Sequence, residues 1–267
     1  MRAAVLGRPV AHSLSPVLHR AAYAALCLTD WTYDALDIGE EDLPVLLAGL
    51  GDEWRGFSVT MPCKQAAADV ADLVEPLPRL LHAANTLVRT DSGWRAENTD
   101  VSGIGMALQL AGAEEVDSAT IVGAGGTAAA AAVALASLGA RRVDVVVRDP
   151  ARAGDVTRVL AALDVDASVI PFAEATLSAP LVVSTVPIGA HPDLLALPWR
   201  GDHTLLDVLY APWPTPLAGH VGALGGTVAG GLDVLFWQAT VQVELMTGLP
   251  APIEAMRTAL DAVRATS

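Results

Sequence analysis

Apolar residues along the chain fall into short continuous runs, strict alternations and helically spaced stripes, in turn. Residues 2–6, apolar from Ala3 to Leu6, read as a short buried strand that stops at Gly7-Arg8-Pro9. Ser15 and Pro16 stand as N-cap and first helical residue before a helically spaced stripe over 17–26. Alternation over 31–37 predicts a strand, 40–50 a helix and 56–60 another strand. Met61-Pro62 ends that strand, and a helix is expected over 64–73. Residues 84–89 and 93–96 read as a hairpin turning through Asp91-Ser92-Gly93.

A helix over 99–111 leaves this first region. Strand 119–122, helix 126–138 and strand 142–147 then make one βαβ unit of ordinary length. Apolar segments at 169–171, 181–184, 205–207 and 226–228 continue the strand series, and 232–247 and 253–265 read as closing helices. Such alternation implies an α/β fold with mostly parallel sheets covered on both faces. No low-complexity linker interrupts the pattern, so the domain boundaries are expected inside helices. The expected organisation is one α/β domain at 1–101, completed by helices from about 237 to 267, and a second at 102–236, with the active site in the cleft between the two.

The 267 residues suffice for two α/β domains, and 52% hydrophobic with 17% charged residues provides a full core. A net charge of −14 argues against nucleic-acid binding, which needs a positive field. An anionic cofactor or substrate must then find local positive charge, which gives weight to each of the sixteen Lys and Arg residues. Cys27 and Cys63 supply neither a disulfide framework nor a zinc spacing, and Cys63 reads as a small reduced filler beside Lys64. The six histidines show no ligand-like spacing, so no metal is expected. No apolar stretch of signal or spanning length precedes Gly7, and a cytoplasmic protein without a membrane partner is expected.

Gly123-Ala124-Gly125-Gly126-Thr127-Ala128 follows a predicted strand and opens a predicted helix. In that context Gly123 permits a tight turn, Gly125 lets a pyrophosphate approach the backbone, and Ala128 allows close helix–strand packing. The helix N-terminus adds amide donors and partial positive charge. At the end of the second strand, Val147-Arg148-Asp149 replaces the acidic residue that usually holds a ribose 2′-hydroxyl. Arg148 and Arg152, four apart, suit a 2′-phosphate, with Asp149 expected to turn outward and pair with them. Lys64, closing Val59-Thr60-Met61-Pro62-Cys63-Lys64, and Asp100, closing Asn98-Thr99-Asp100, offer one ammonium and one carboxylate. Such a pair can move a proton at a hydroxyl-bearing carbon while a nicotinamide moves a hydride. Together they suggest a reductase of a small polyhydroxylated molecule. Ser13 and Ser15, two apart, would face one side of an extended segment and share a carboxylate.

These segments resemble shikimate dehydrogenase, in order over nearly the whole chain. The resemblance is carried by Gly7 to Pro16, Ser58 to Lys64, Ala84-Asn85-Thr86-Leu87, Asn98-Thr99-Asp100 and the glycine loop. Asp207-Val208-Leu209-Tyr210, Pro214-Thr215-Pro216-Leu217 and Gly231-Leu232 with Gln238 complete it. It implies reversible NADP-dependent reduction of 3-dehydroshikimate to shikimate, in the route to chorismate and aromatic amino acids. Lys64 and Asp100 are then the catalytic pair. Ser13, Ser15 and Tyr210 would hold the substrate carboxylate, and Thr60, Lys64, Asn85, Asp100 and Gln238 its hydroxyl and carbonyl groups. Gly123 to Ala128 with Arg148 and Arg152 would hold the cofactor, which makes 102–236 a Rossmann-type dinucleotide-binding domain and 1–101, with the closing helices, the substrate-binding and catalytic domain. The family's Asn-Arg-Thr clamp stands here as Val147-Arg148-Asp149, and Ser58 stands where Asn is common.

Three other readings share parts of this pattern. An NAD-dependent quinate/shikimate dehydrogenase draws on Asp149. A methylenetetrahydrofolate dehydrogenase-like enzyme also pairs a catalytic lysine with two lobes, but Ser13 and Ser15 argue against it. A non-catalytic sensor of shikimate-type ligands would not need Lys64, Asp100 and the glycine loop together. A monomer and a homodimer are equally compatible with the sequence.

Overall fold

The structure is a computed structural model that describes residues 1–264. It divides into two compact units, Met1–Thr99 with the stretch from Gln238 on, and Asp100–Trp237. In the first unit, β1 (Arg2–Gly7), α1 (Ser15–Ala25), β2 (Thr32–Asp37), α2 (Leu43–Ala48) and β3 (Trp54–Val59) come first. They are followed by α3 (Lys64–Val70), β4 (Leu73–Val74), α4 (Pro76–Leu81), β5 (Thr86–Thr90) and β6 (Gly93–Glu97). The six strands lie in the order β2-β1-β3-β5-β6-β4. β1 runs parallel to β2 and β3, while β5 is antiparallel to both β3 and β6.

The apolar run that predicts β1 is buried throughout, from Ala3 to Leu6, as a strand covered on both faces must be. On the core side, Phe57 of β3 stacks on Trp54 with ring centroids 5.0 Å apart and tilts against Trp94 of β6 at 5.3 Å. Aromatic pairs at these separations add to what their buried area alone contributes.

The second unit contains α5 (Asp100–Leu110), β7 (Ser118–Val122), α6 (Gly126–Ser137), β8 (Arg142–Val147), α7 (Gly154–Ala162) and β9 (Asp166–Pro171). It continues with β10 (Leu181–Ser184), α8 (His191–Leu195), β11 (Thr204–Asp207), α9 (Pro216–Ala223) and β12 (Thr227–Gly230). All neighbours in its sheet, β12-β11-β10-β7-β8-β9, run parallel. Read from β9, this is the 3-2-1-4-5-6 order of the dinucleotide-binding fold, whose switch point lies between β7 and β10. The residues from Ala128 to Leu135 are all buried, and six of the first seven are alanines. Ala has the highest helix propensity, and its single methyl lets α6 lie close against its neighbours. α10 (Gly231–Thr247) contains the boundary between the units, and α11 (Ile253–Arg264) packs on α1 within the first unit.

Several expected elements differ in detail. The helix expected over 64–73 ends at Val70, because Leu73 and Val74 pair with Arg95 and Ala96 as a two-residue strand. The helix expected from Thr99 starts at Asp100, since the Thr99 amide is bonded to the Asn85 side chain. α4, α7, α8 and α9 are additional to the sequence reading. The final residue of the helix expected over 253–265 lies outside the described residues. Among the described residues, no helix is long and apolar enough to cross a membrane, and no group of three or more His, Cys, Asp or Glu is arranged to hold a metal ion.

Candidate active site

In the first unit the motif residues collect at strand ends. β1 and β3 end side by side, and the chain crosses between them: the Thr60 amide donates to Leu6 O at 2.8 Å and the Arg8 amide to Met61 O at 2.9 Å. This crossing requires Gly7, since a Cβ there would lie 2.7 Å from Met61 O and collide with the Thr60 methyl. Thr60, half-buried, leads through Cys63 to Lys64, the first residue of α3. Cys63 is in the core, its thiol donates to Ile38 O at 3.5 Å, and burial pushes that thiol up. It is an inert filler next to the lysine, not a thiolate.

Asn85 joins the remaining pieces. It is buried just before β5, and its carbonyl accepts from the Val59 amide at 2.7 Å. Its side-chain Oδ1 accepts from the Thr99 amide at 2.7 Å and from Thr86 Oγ1 at 2.9 Å. Its Nδ2 donates to Thr99 Oγ1 at 2.9 Å and to Gln238 Oε1 at 3.2 Å. The residue before it, Ala84, donates its amide to Lys64 O at 2.8 Å. The backbone of Lys64 and the residue preceding Asp100 are therefore tied to one dipeptide. Asn98 holds the loop from the other side by donating Nδ2 to Ala83 O at 2.9 Å.

Ser13 and Ser15 differ from the extended arrangement expected for them. Leu14 takes a helical conformation (φ −89°, ψ −1°), so the chain turns between the two serines and α1 starts at Ser15, with Leu14 and not Ser15 as its N-cap. Ser13 Oγ instead accepts from the Ser15 amide at 3.3 Å, which uses one of the amides that a helix start leaves without an intrahelical partner. Ser15 is buried and Ser13 half-buried.

Tyr210 belongs to the second unit, half-buried on the loop after β11, and burial raises its phenol. Asp207, at the end of β11, holds that loop. It accepts from the Leu209 amide at 3.2 Å and from Thr215 Oγ1 at 2.6 Å. Burial raises the Asp207 carboxyl, opposed by those two hydrogen bonds.

The glycine loop lies at the C-terminal end of β7, on the switch point of the sheet, where open α/β sheets bind their ligands. Gly123 has φ +112°, and a Cβ on it would collide with Thr185 Oγ1, just after β10. Gly125 is the N-cap of α6, in extended conformation and without a side-chain cap. A Cβ added at Gly125 or Gly126 would meet nothing within 4 Å, and no acidic residue occupies the first turn of α6. An open backbone surface with outward amides at the start of a twelve-residue helix fits a dinucleotide pyrophosphate. Ala124 and Thr127 are half-buried around it, and Ala128 is fully buried beneath.

Arg148 and Arg152 are exposed after β8, and neither pairs with a carboxylate among the described residues. Asp149 does not pair with them as expected. Its Oδ1 accepts from the Ala151 amide at 3.0 Å and caps the short turn Pro150–Ala153. An Asp before a turn satisfies a nearby amide in preference to an exposed ion pair of little net stability.

The site also contains residues to which the motifs gave no role. Tyr33 donates its hydroxyl to Ser58 Oγ at 2.5 Å, and Ser58 donates to Gln242 Oε1 at 2.6 Å. Gln242 Nε2 donates to Asn85 O at 3.1 Å and to Thr86 Oγ1 at 2.9 Å. His19 stacks on Tyr33 at 4.0 Å, with Nε2 3.4 Å from Gln242 Oε1, and burial pushes its pKa down to about 3. One signal in the sequence pointed here: Gln238 and Gln242 stand one turn apart in an otherwise apolar helix.

Residues 5–87 match the shikimate dehydrogenase substrate binding domain, and residues 231–260 match the shikimate 5′-dehydrogenase C-terminal domain. The shikimate dehydrogenase (NADP(+)) of Moorella thermoacetica is 35% identical over 266 residues, which cover 95% of this chain and 90% of that protein. The crystal structure of Mycobacterium tuberculosis shikimate dehydrogenase aligns with a TM-score of 0.88 at 47% identity, over 98% of this chain and 99% of that one. Shikimate 5-dehydrogenase from Thermus thermophilus, solved with NADP(H) and shikimate, aligns with a TM-score of 0.84 at 33% identity, over 98% and 99%.

Proposed function

The chain belongs to the shikimate dehydrogenase family, and we propose that it catalyses the reversible NADP-dependent reduction of 3-dehydroshikimate to shikimate. The observation that carries this reading is the Asn85 junction. The dipeptide Ala84-Asn85 ties together the backbone of Lys64, through the Ala84 amide, and Thr99 and Gln238, through the buried Asn85 side chain, so that the segments carrying Lys64, Asp100 and Gln238 are fixed at one point.

NADPH, when bound, supplies the hydride that reaches the substrate ketone carbon. Lys64 stabilises the negative charge that builds on the ketone oxygen and then delivers the proton to it. Asp100, the other member of the catalytic pair, accepts from the adjacent substrate hydroxyl. Thr60, Asn85 and Gln238 bind the ring hydroxyls and orient the carbon to be reduced. Ser13, Ser15 and Tyr210 donate hydroxyl hydrogen bonds to the substrate carboxylate. The loop from Gly123 into the first turn of α6 at Ala128 would hold the cofactor pyrophosphate, and Arg148 and Arg152 would hold the 2′-phosphate by charge-assisted hydrogen bonds. Asp149 has one carboxylate oxygen engaged at the Ala151 amide, which weakens its claim on a ribose hydroxyl and with it the case for NAD.

Initial rates for shikimate and for quinate, each with NADP⁺ and with NAD⁺, test the proposal. The expected ranking puts shikimate with NADP⁺ first in kcat/KM. A preference for quinate with NAD⁺ overturns the substrate and cofactor assignment. Shikimate binding without turnover in all four assays would make the chain a ligand-binding protein and not an enzyme.

A further inference from the structure

Gln242 is buried on α10, one turn beyond Gln238, and both nitrogen and oxygen of its amide are engaged. Its orientation follows from chemistry. Asn85 O can only accept, so the group facing it at 3.1 Å is Gln242 Nε2, and Oε1 points to Ser58. Ser58 then spends its only proton on Gln242 and must accept from the Tyr33 hydroxyl. Thr86 Oγ1, receiving from Gln242 Nε2 at 2.9 Å, spends its proton on Asn85 Oδ1 at 2.9 Å. One direction of donation therefore runs Tyr33 to Ser58 to Gln242 to Thr86 to Asn85. It ends by setting Oδ1 of Asn85 inward and Nδ2 toward Thr99 and Gln238.

Resting on the shikimate dehydrogenase reading, we propose that Gln242 is a positioning residue for the reaction: with Ser58 and Tyr33 behind it, it fixes the Asn85 amide with its donor end toward Thr99 and Gln238, and so sets the side-chain arrangement that receives the substrate hydroxyls. The relay enters Asn85 at two points, its carbonyl and, through Thr86, its side-chain oxygen. Loss of Gln242 releases both. The Thr99 amide, 2.7 Å from Asn85 Oδ1, still favours the same orientation, so the effect is partial and not total. Ser58 has a place in this chain as the hydroxyl that accepts from one buried partner and donates to another, a pattern an amide side chain at that position would have to meet with different geometry.

The test is a double-mutant cycle on purified full-length protein. Gln242→Leu should lower kcat/KM for shikimate about tenfold, the cost of one or two lost hydrogen bonds, and leave KM for NADP⁺ unchanged. In an Asn85→Ala background the same change should cost nothing further, because the group it acts through is gone. Equal losses in both backgrounds overturn the proposal and make Gln242 a packing residue only. If Gln242→Leu does not fold, Ser58→Ala removes the donor to Oε1, together with the acceptor of the Tyr33 hydroxyl, while keeping the Gln242 amide, and must show the same pattern, a smaller loss that vanishes with Asn85→Ala. An independent reading comes from the Asn85 side-chain amide signals in a ¹H–¹⁵N spectrum. They should shift or broaden in either variant, and unchanged signals overturn the proposal even where turnover falls. If the unmutated chain oxidises neither shikimate nor quinate, the functional reading fails, while the spectrum still decides whether Gln242 orders Asn85.

Discussion

Gly123→Ala should destabilise the fold, whereas Gly125→Ala, two residues on, should spare it and damage the cofactor site. Gly123 has φ +112°, and its missing Cβ faces Thr185 Oγ1 at colliding distance with Val186 Cγ1 at 3.2 Å. Thr185 has little freedom to yield, since its hydroxyl donates to Val122 O at 3.0 Å and its amide donates to the same oxygen at 2.9 Å. A left-handed backbone on a non-glycine residue costs about 1–3 kcal/mol, and overpacking adds about 1–3 more. Taking about 3 kcal/mol in total, Tm should fall by roughly 6–12 °C in a chain of this size. Gly125 has φ −87° and ψ −174°, with nothing within 4 Å of its Cβ position, so Gly125→Ala should stay within about 0.5 kcal/mol of the parent. That Cβ would instead stand where a pyrophosphate approaches, so NADP⁺ should bind about tenfold or more weakly, about 1.4 kcal/mol. Calorimetric melts measure the first effect and fluorescence titration of the cofactor the second. Thr185→Ala combined with Gly123→Ala should cost less than the sum of the two single changes, because they share one collision. An unchanged Tm for Gly123→Ala, or additive losses in the pair, would refute the argument.

Three further outcomes follow from the same geometry. Lys64→Ala should reduce kcat by about 10²-fold or more with little change in KM, as expected when an interaction matters mainly in the transition state; near-normal turnover in steady-state assays removes Lys64 from its role. Arg148→Ala should weaken NADP⁺ by about 2 kcal/mol and leave NAD⁺ nearly untouched, and higher kcat/KM with NAD⁺ in the unmutated enzyme would reverse the cofactor assignment. His19 titrates near 3 when folded and near 6.5 when unfolded, because burial disfavours its charged form. The unfolded chain therefore binds the extra proton first: nothing is lost above about pH 6.5, and about 1.4 kcal/mol of stability disappears per pH unit as the pH falls toward 3. His19→Phe should lack this component, so urea unfolding at pH 7.5 and 5 should show about 2 kcal/mol less acid sensitivity in the variant; equal sensitivity removes His19 as the cause.

The fold was legible wherever a local pattern and a local boundary coincide. β1 stops at Gly7, and β7, α6 and β8 are bounded by glycines and by a change of period, so one window of sequence contains the whole signal. The four-residue strands β10 and β11 were legible as apolar runs. α8 and α9 were not, because proline and glycine interrupt short segments that hold together only by packing on the sheet. β4 is the extreme case. Leu73 and Val74 are a strand solely because Arg95 and Ala96 lie beside them, and nothing within the helix-like run from Lys64 announces that partner.

The site divides along the same line. Its glycine loop, Lys64 and Asp100 sit in contiguous motifs, since a backbone turn or a helix start imposes its requirement on adjacent residues. The relay behind Asn85 has no such requirement. Tyr33 and Ser58 are 25 residues apart, and Ser58 and Gln242 are 184 apart. What joins them is burial: each hydroxyl or amide, once removed from water, must find a partner or cost about 1–3 kcal/mol. That rule acts on positions in space, so a sequence reveals only its residue, a polar side chain among apolar ones. Gln242 between Val241 and Val243 is such a residue. Its partners became visible only when β1, β2, β3 and β5 were brought to one sheet and α10 was laid against it, which is why the departure at Ser58 could be noticed in the sequence but acquired a role only in the fold.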